Sequence, residues 1–203
     1  MKEQLLVMLE MQDAMNARVN SDWRRAENAW YRAIWTECAE MLDHYGWKWW
    51  KHQRPDLEQV KLELVDIMHF AMSDYLLQDD DNAKVATRIE AELRNPSRGG
   101  EIREAIEQMA QSTIARRSMH YSDFASVMAL IGMDFDELYR HYVGKNVLNF
   151  FRQDHGYKEG TYVKQWDGRE DNEHLAELLA ALDSDSADFR EQVYEGLRER
   201  YPG

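Results

Sequence analysis

"WYRAIWTECAEMLDHYGWKWWK", residues 30–51, decides the fold class of this chain. Turned at 100° per residue, it places Trp30, Ile34, Cys38, Met41 and Tyr45 on one apolar face, the pattern of an amphipathic helix. Glu37 falls in the middle of that face and Glu40 at its edge, one turn on. A buried, unpaired carboxylate costs several kcal/mol, so Glu37 requires a positive charge from elsewhere. Gly46 and the tryptophans at 47, 49 and 50 then close the helix.

The helical period continues through nearly the whole chain, without a convincing run of strand-like alternation. It predicts helices over 2–19, 22–45, 56–77, 83–94, 101–118, 121–131, 134–153, 172–182 and 185–201. Breakers fall between them: "QRPD" before the third helix, "QDDDN" after it and "NPSRGG" at 95–100. The acidic run at 79–81 reads as a solvated turn, since it lacks the glycine of a Ca²⁺-binding loop. The expected fold is all-α, a helical bundle with a four-carboxylate metal site between helices and no substantial sheet. One segment resists helical assignment: "HGYKEGTYVKQWDGRED", 155–171. Long irregular segments in compact domains are functional or disordered, and its aromatic residues argue against disorder.

The 203 residues are 44% hydrophobic and 31% charged, which fits one folded domain over 1–203. A single cysteine, Cys38, excludes an intrachain disulfide and suits a reducing compartment. The first apolar run is too short for a signal peptide and nothing later approaches a membrane span, so a cytoplasmic protein is expected. A net charge of −13 repels nucleic acid, and also a nucleoside triphosphate unless divalent metal ions mediate.

Four constellations carry chemistry. Glu37 and Glu40 are spaced i, i+3, and so are Glu63 and Asp66 in "KLELVDIMHF", where Glu63 borders an arc of Val60, Leu64, Ile67, Met68 and Ala71. Two antiparallel helices joined through 46–55 bring the four together, a hard-oxygen set suited to Mg²⁺. Buried Lys or Arg partners are the alternative. A di-iron site fits poorly, because only Asp66-x-x-His69 approaches the Glu-x-x-His motif it needs twice. Gln12 and Asn16, i, i+4 on the apolar face of the first helix with Leu5, Leu9 and Val19, suit a nucleobase edge or the capping of other helices. The tryptophan run stacks on a planar ligand or plugs the helical hairpin. Lys145, Asn149 and Arg152 share a helix face, and Lys158 and Lys164 follow, which suits a polyphosphate clamp or surface charge balance. One ligand, a nucleoside triphosphate, satisfies all four, and the reaction is then phosphoanhydride hydrolysis by an activated water.

The motifs Glu37-Cys-Ala-Glu40, Gly46-Trp-Lys-Trp-Trp-Lys51 and Glu63-Leu-Val-Asp66-Ile-Met-His69-Phe70 resemble those of the all-α dimeric dUTPases, within the all-α nucleotide pyrophosphohydrolase (MazG-like) superfamily. "KNVLNFFRQDHGYKEGTYVKQWDGREDN", 145–172, is similar to that family's late motif, and the resemblance spans about 4–77 and 138–175. It implies Mg²⁺-dependent hydrolysis of dUTP, and of dUDP, to dUMP by a homodimer, limiting uracil in DNA and supplying dUMP for thymidylate synthesis. It implies metal binding by Glu37, Glu40, Glu63 and Asp66, with Glu40 polarising the attacking water. Gln12, Asn16 and Asn149 match positions that read uracil and deoxyribose, with Trp50 and Phe70 packing around the base. Arg152, Tyr157, Lys158, Lys164 and Asn172 match the phosphate-contacting segment. Asp43, His69, Glu170 and Asp171 lie in the motifs without an assigned role. Residues 83–131 match no motif and read as a mobile lobe or dimer surface beside a rigid core of about 1–77 and 134–182. Rival readings are a dCTP/dUTP or broader pyrophosphohydrolase, and a non-catalytic helical interaction protein whose carboxylates pair with internal Lys or Arg.

Overall fold

A computed structural model describes residues 1–202 except 98, 185 and 187. Among the described residues the helices are α1 (Lys2–Val19), α2 (Trp30–Tyr45), α3 (Leu57–Gln78), α4 (Asn82–Leu93), α5 (Ile102–Arg116), α6 (Tyr121–Leu130), α7 (Phe135–Asp154), α8 (Asp171–Ala181) and α9 (Phe189–Arg200). The one sheet among them is an antiparallel hairpin of β1 (Gln165–Trp166) and β2 (Arg169–Glu170). The chain is all-α, as its periodicity predicts. None of its described helices is long and apolar enough to cross a membrane.

Helix starts follow local chemistry. The side chains of Asp56, Asp81 and Asp134 accept hydrogen bonds from first-turn N–H groups of α3, α4 and α7, worth about 1 kcal/mol each. Two expectations need correction. The helix predicted over 22–45 is broken: Trp23–Arg25 form a single 3₁₀ turn and α2 starts only at Trp30. Glu27 sits at φ 49°, a left-handed conformation no α-helix accommodates, while Asp13 Oδ1 accepts from Trp23 Nε1 and Arg24 Nη2, both at 3.1 Å, tying the turn to α1. The segment 155–171 is irregular, as its weak periodicity predicts, but it closes with the small hairpin. Asp167 and Gly168, at φ 49° and 80°, make its two-residue loop, the Asp-Gly pairing a tight hairpin favours. The last helix begins at Phe189 rather than 185, and residues 185 and 187 lie outside the described residues.

One hydrophobic core runs from Leu5 to Leu197, with α3 at its centre. That helix buries Val60, Leu64, Val65, Ile67, Met68, Ala71 and Met72, more than one face, because α1, α2, α4 and α7 all pack against it. Residues 83–131 contribute Val85, Ile89, Ile106, Met109, Tyr121 and Phe124 to the same core. The α7–α8 crossing depends on Gly144, where an added Cβ would lie 2.5 Å from Leu179 Cδ2.

Candidate active site

Helices α2 and α3 form a hairpin whose ends meet where Asp56 N donates to His44 O at 3.0 Å. Ile34, Cys38 and Met41 point α2 into the core, which carries Glu37 inward to face α3. One carboxylate oxygen from each of Glu37, Glu63 and Asp66 lies within 4.8 Å of the others. Burial first, then the Asp66 charge and a hydrogen bond to Glu63, push the Glu37 carboxyl up to about 8. Burial and Asp66 raise Glu63 too, with Lys145 pulling it the other way. Among the described residues no Lys or Arg ion-pairs with Glu37 or Glu63; His44 Nε2 approaches Glu63 Oε1 at 3.4 Å. Asp66 does have a cation: Lys145 Nζ lies 2.8 Å from its Oδ2 and donates to Asn172 Oδ1 at 2.9 Å, with the lysine side chain only 2% exposed. Three converging hard oxygens that repel one another, two of them without a cationic side chain, fit a divalent cation. Glu40 is exposed, at the rim of the same cavity and outside the tight group. Cys38, behind the cluster, has its thiol pushed up to about 12 by burial, so it stays protonated and inert.

The carboxylates stand between two chambers. A polar one of about 620 Å³ is lined by Glu37, Glu40, Glu63 and Asp66 among other acidic residues, and by Lys145, Lys164 and Asn172. A more apolar one of about 400 Å³ is lined by Gln12, Asn16, Trp30, His69, Phe70 and Asn149. Glu37, Asp66, Arg152 and Tyr157 belong to both walls, so the chambers adjoin. The rings of Trp30 and Phe70 stack with centroids 6.2 Å apart and planes at 29°, and Trp23 meets Trp30 edge-on. Trp50 is not brought to this place. It is 58% exposed, in the connector cavity with Trp47 and Trp49, against which it packs edge-on. The connector turns outward at Gly46, whose carbonyl accepts from Arg103 Nε of α5 at 2.8 Å, and so carries the tryptophans away from the chamber.

The amides are occupied. Gln12 Nε2 donates to Asn16 Oδ1 and Ser73 Oγ, both at 3.0 Å, while its Oε1 lies 2.7 Å from His69 Nδ1 and 2.9 Å from the Tyr142 hydroxyl. Gln12 therefore has no free donor or acceptor to offer a ligand, whereas Asn16 and Asn149 keep N–H groups in reserve.

Arg152 is held, not free. Its Nε and Nη2 bond both oxygens of the fully buried Asp171 at 2.8 Å, and Tyr162 donates to the same carboxylate at 2.8 Å. The pair keeps the guanidinium charged and the Asp171 carboxyl below its usual range. Tyr157 lines both chambers; Lys164 reaches the polar one while paired with Glu170 at 3.0 Å. Lys158 lines neither, donating to Val19 O at 3.1 Å. Asp43 also stays outside, bonded to Trp47 and Lys48.

Sequence reasoning did not assign a site role to Trp23 or Trp30, and it read Lys145 as part of a polyphosphate clamp rather than as the partner of Asp66. Trp30 announced itself on the apolar face of the opening stretch. Trp23 gave no signal, because its position depends on the break at Glu27.

A protein-family model described as dUTPase matches residues 4–157, which takes in every carboxylate of the cluster, both amides of α1, Asn149 and Arg152. No curated protein matches the chain. The match ends before Lys158, Lys164 and Asn172, but it covers well over half the sequence, and with the all-α fold and the buried carboxylates it places this chain in the all-α dUTPase family.

Proposed function

We propose that this protein is a dUTP diphosphatase, converting dUTP and water to dUMP and pyrophosphate, and dUDP and water to dUMP and phosphate. The observation that carries the proposal is the shared wall: the acidic cluster stands between a chamber with an aromatic pair and amides, and a chamber with Lys145, Lys164 and Arg152. A nucleotide laid across that wall would put its base beside Trp30 and Phe70 and its phosphates at the cations. Glu37, Glu63 and Asp66, joined by Glu40, would hold Mg²⁺. When bound, Mg²⁺ offsets phosphate charge and makes water a better nucleophile. The chain's own groups do the rest. Glu40, on the open rim, would polarise the attacking water and take its proton. Arg152 and Lys164 meet charge that develops on the phosphate oxygens, and Arg152 does so from a fixed position because Asp171 holds it. Trp30, Phe70 and Trp23 exclude water from one side. Gln12 positions its neighbours instead of touching the base. The family resemblance favours a homodimer, and the single cysteine suits a reducing compartment such as the cytoplasm.

Pyrophosphate release with dUTP, dCTP, dTTP and UTP in parallel tests the reading. Turnover of dUTP at least tenfold above the others, lost in EDTA and restored by Mg²⁺, is expected. Comparable turnover of all four would replace it with a broad pyrophosphohydrolase, and turnover of dUTP and dCTP alone with a dCTP/dUTP hydrolase.

A further inference from the structure

Ser73, a residue in none of the motifs above, is hydrogen-bonded to two amides that line the aromatic chamber. Its hydroxyl, buried on α3, faces one terminal atom from each of two amides: Gln12 at 3.0 Å and Asn16 at 2.9 Å. The two amides also touch each other at 3.0 Å, so the three side chains form a closed ring. Hydrogen counting orients it. Had Gln12 turned its oxygen to Ser73, Asn16 would have to turn its nitrogen to Gln12 and therefore its own oxygen to Ser73. Two oxygens would then compete for the single hydroxyl hydrogen. With both nitrogens facing Ser73 every contact is satisfied, and the hydroxyl hydrogen goes to His69 O at 2.9 Å. Gln12 Oε1 must then face His69, where it accepts from Nδ1 at 2.7 Å and lies 2.9 Å from the Tyr142 hydroxyl, whose single hydrogen also faces Met8 O at 3.0 Å.

The consequence falls on the far side of the imidazole. With its proton on Nδ1, His69 is a bare acceptor at Nε2, and that atom is buried with no hydrogen-bond partner among the described residues. The ring is held flat against Tyr142, centroids 4.1 Å apart, and forms part of the chamber wall. Burial drives the imidazole down to about 4, so it is neutral at physiological pH. A buried acceptor left unmet carries a penalty that a donating ligand removes.

We propose that His69 reads the ligand as a neutral hydrogen-bond acceptor at Nε2, its tautomer fixed by Ser73 through Gln12, so that the chamber selects a nucleotide bearing an N–H or O–H donor at that point. This deepens the proposed dUTP diphosphatase reading and rests on it for the identity of the ligand. A deoxyuridine nucleotide offers two such donors, the imide N3–H of the base and the 3′-hydroxyl of the sugar. Ring N3 of cytosine carries no hydrogen and would present a lone pair instead.

The tautomer is measurable without any ligand. In ¹⁵N-histidine-labelled full-length protein at pH 7, His69 should show a protonated Nδ1 and an unprotonated Nε2. The opposite pattern overturns the proposal. Binding of dUMP, 3-methyl-dUMP and 2′,3′-dideoxyuridine monophosphate with Mg²⁺, followed by calorimetry, identifies the donor. A loss of about tenfold confined to the 3-methyl compound assigns the imide, and one confined to the dideoxy compound assigns the hydroxyl. Equal affinity for all three overturns the proposal. Ser73→Ala removes the anchor with little change in volume. Its His69 signals should become a tautomer mixture, and the tenfold discrimination should shrink to two- or threefold. Wild-type signals and discrimination in Ser73→Ala would overturn the role of Ser73. Absence of dUTP turnover would remove the enzyme reading while leaving the ligand-free tautomer result standing, so the two failures are distinguishable.

Discussion

Burial, reinforced by the acids beside it, pushes the Glu37 carboxyl up to about 8, and that has a pH signature. Below its ordinary value of 4.5 the group is protonated in the folded and unfolded chain alike. As pH rises toward 8 the unfolded chain releases the proton while the folded one retains it, so stability falls across that window and levels off above it. The metal-free protein should therefore unfold more easily at pH 8 than at pH 5, by on the order of 1–3 kcal/mol. Glu37→Gln should flatten the slope; urea titrations in EDTA at both pH values decide, and an unchanged slope would shift the effect to other groups. Lys145 is the complementary case. Replacing it by Met strands the Asp66 carboxylate and Asn172, which should cost about 2–4 kcal/mol. Changing Asp66 to Asn in the same chain should recover most of that, a cycle measured by the same titrations.

Between elements, close packing is found where α7 crosses α8 at Gly144 and Leu179. Gly144→Ala drives a methyl into the Leu179 side chain and should cost about 1–3 kcal/mol, partly relieved by Leu179→Ala. Because α7 carries Lys145, Asn149 and Arg152, and α8 starts at Asp171, the same variant should raise KM for the nucleotide, measured by pyrophosphate release. How much of this was legible in the sequence differs by element. The inward turn of Glu37 was readable because a helix repeats its faces within a few residues. The partner of Asp66 was not, since Lys145 lies 79 residues away (145 − 66) and only the α3–α7 packing makes them neighbours. That Trp30 and not Trp50 lines the aromatic chamber was not legible for a related reason. Which tryptophan faces inward depends on the break at Glu27 and on the direction the connector takes after Gly46, and both are fixed by contacts with α1 and α5 rather than by local pattern.

At the scale of the whole molecule, the chain carries a net charge of −13 while its proposed substrate is a polyanion. Mg²⁺ and dUMP together should stabilise the fold more than either alone, by about 2.7 kcal/mol at a hundredfold excess over Kd. Thermal melts with Mg²⁺, dUMP, both, and both plus EDTA check this; additive or absent shifts would deny the coupling. The order in which the chain is made adds a final consequence. The late segment is seated by residues synthesised after it: Tyr201 stacks on Tyr162 with centroids 5.4 Å apart, packs against Phe151 and Trp166, and accepts from Val163 N at 3.2 Å, while Arg200 donates to His174 O at 2.9 Å. The acidic pairs are translated in the first third of the sequence, the cations much later, and their clasp after both. On the ribosome the nascent chain thus acquires an acidic hairpin long before the cations that face it, and under the proposed function the phosphate side of the site is complete only once α9 has packed on.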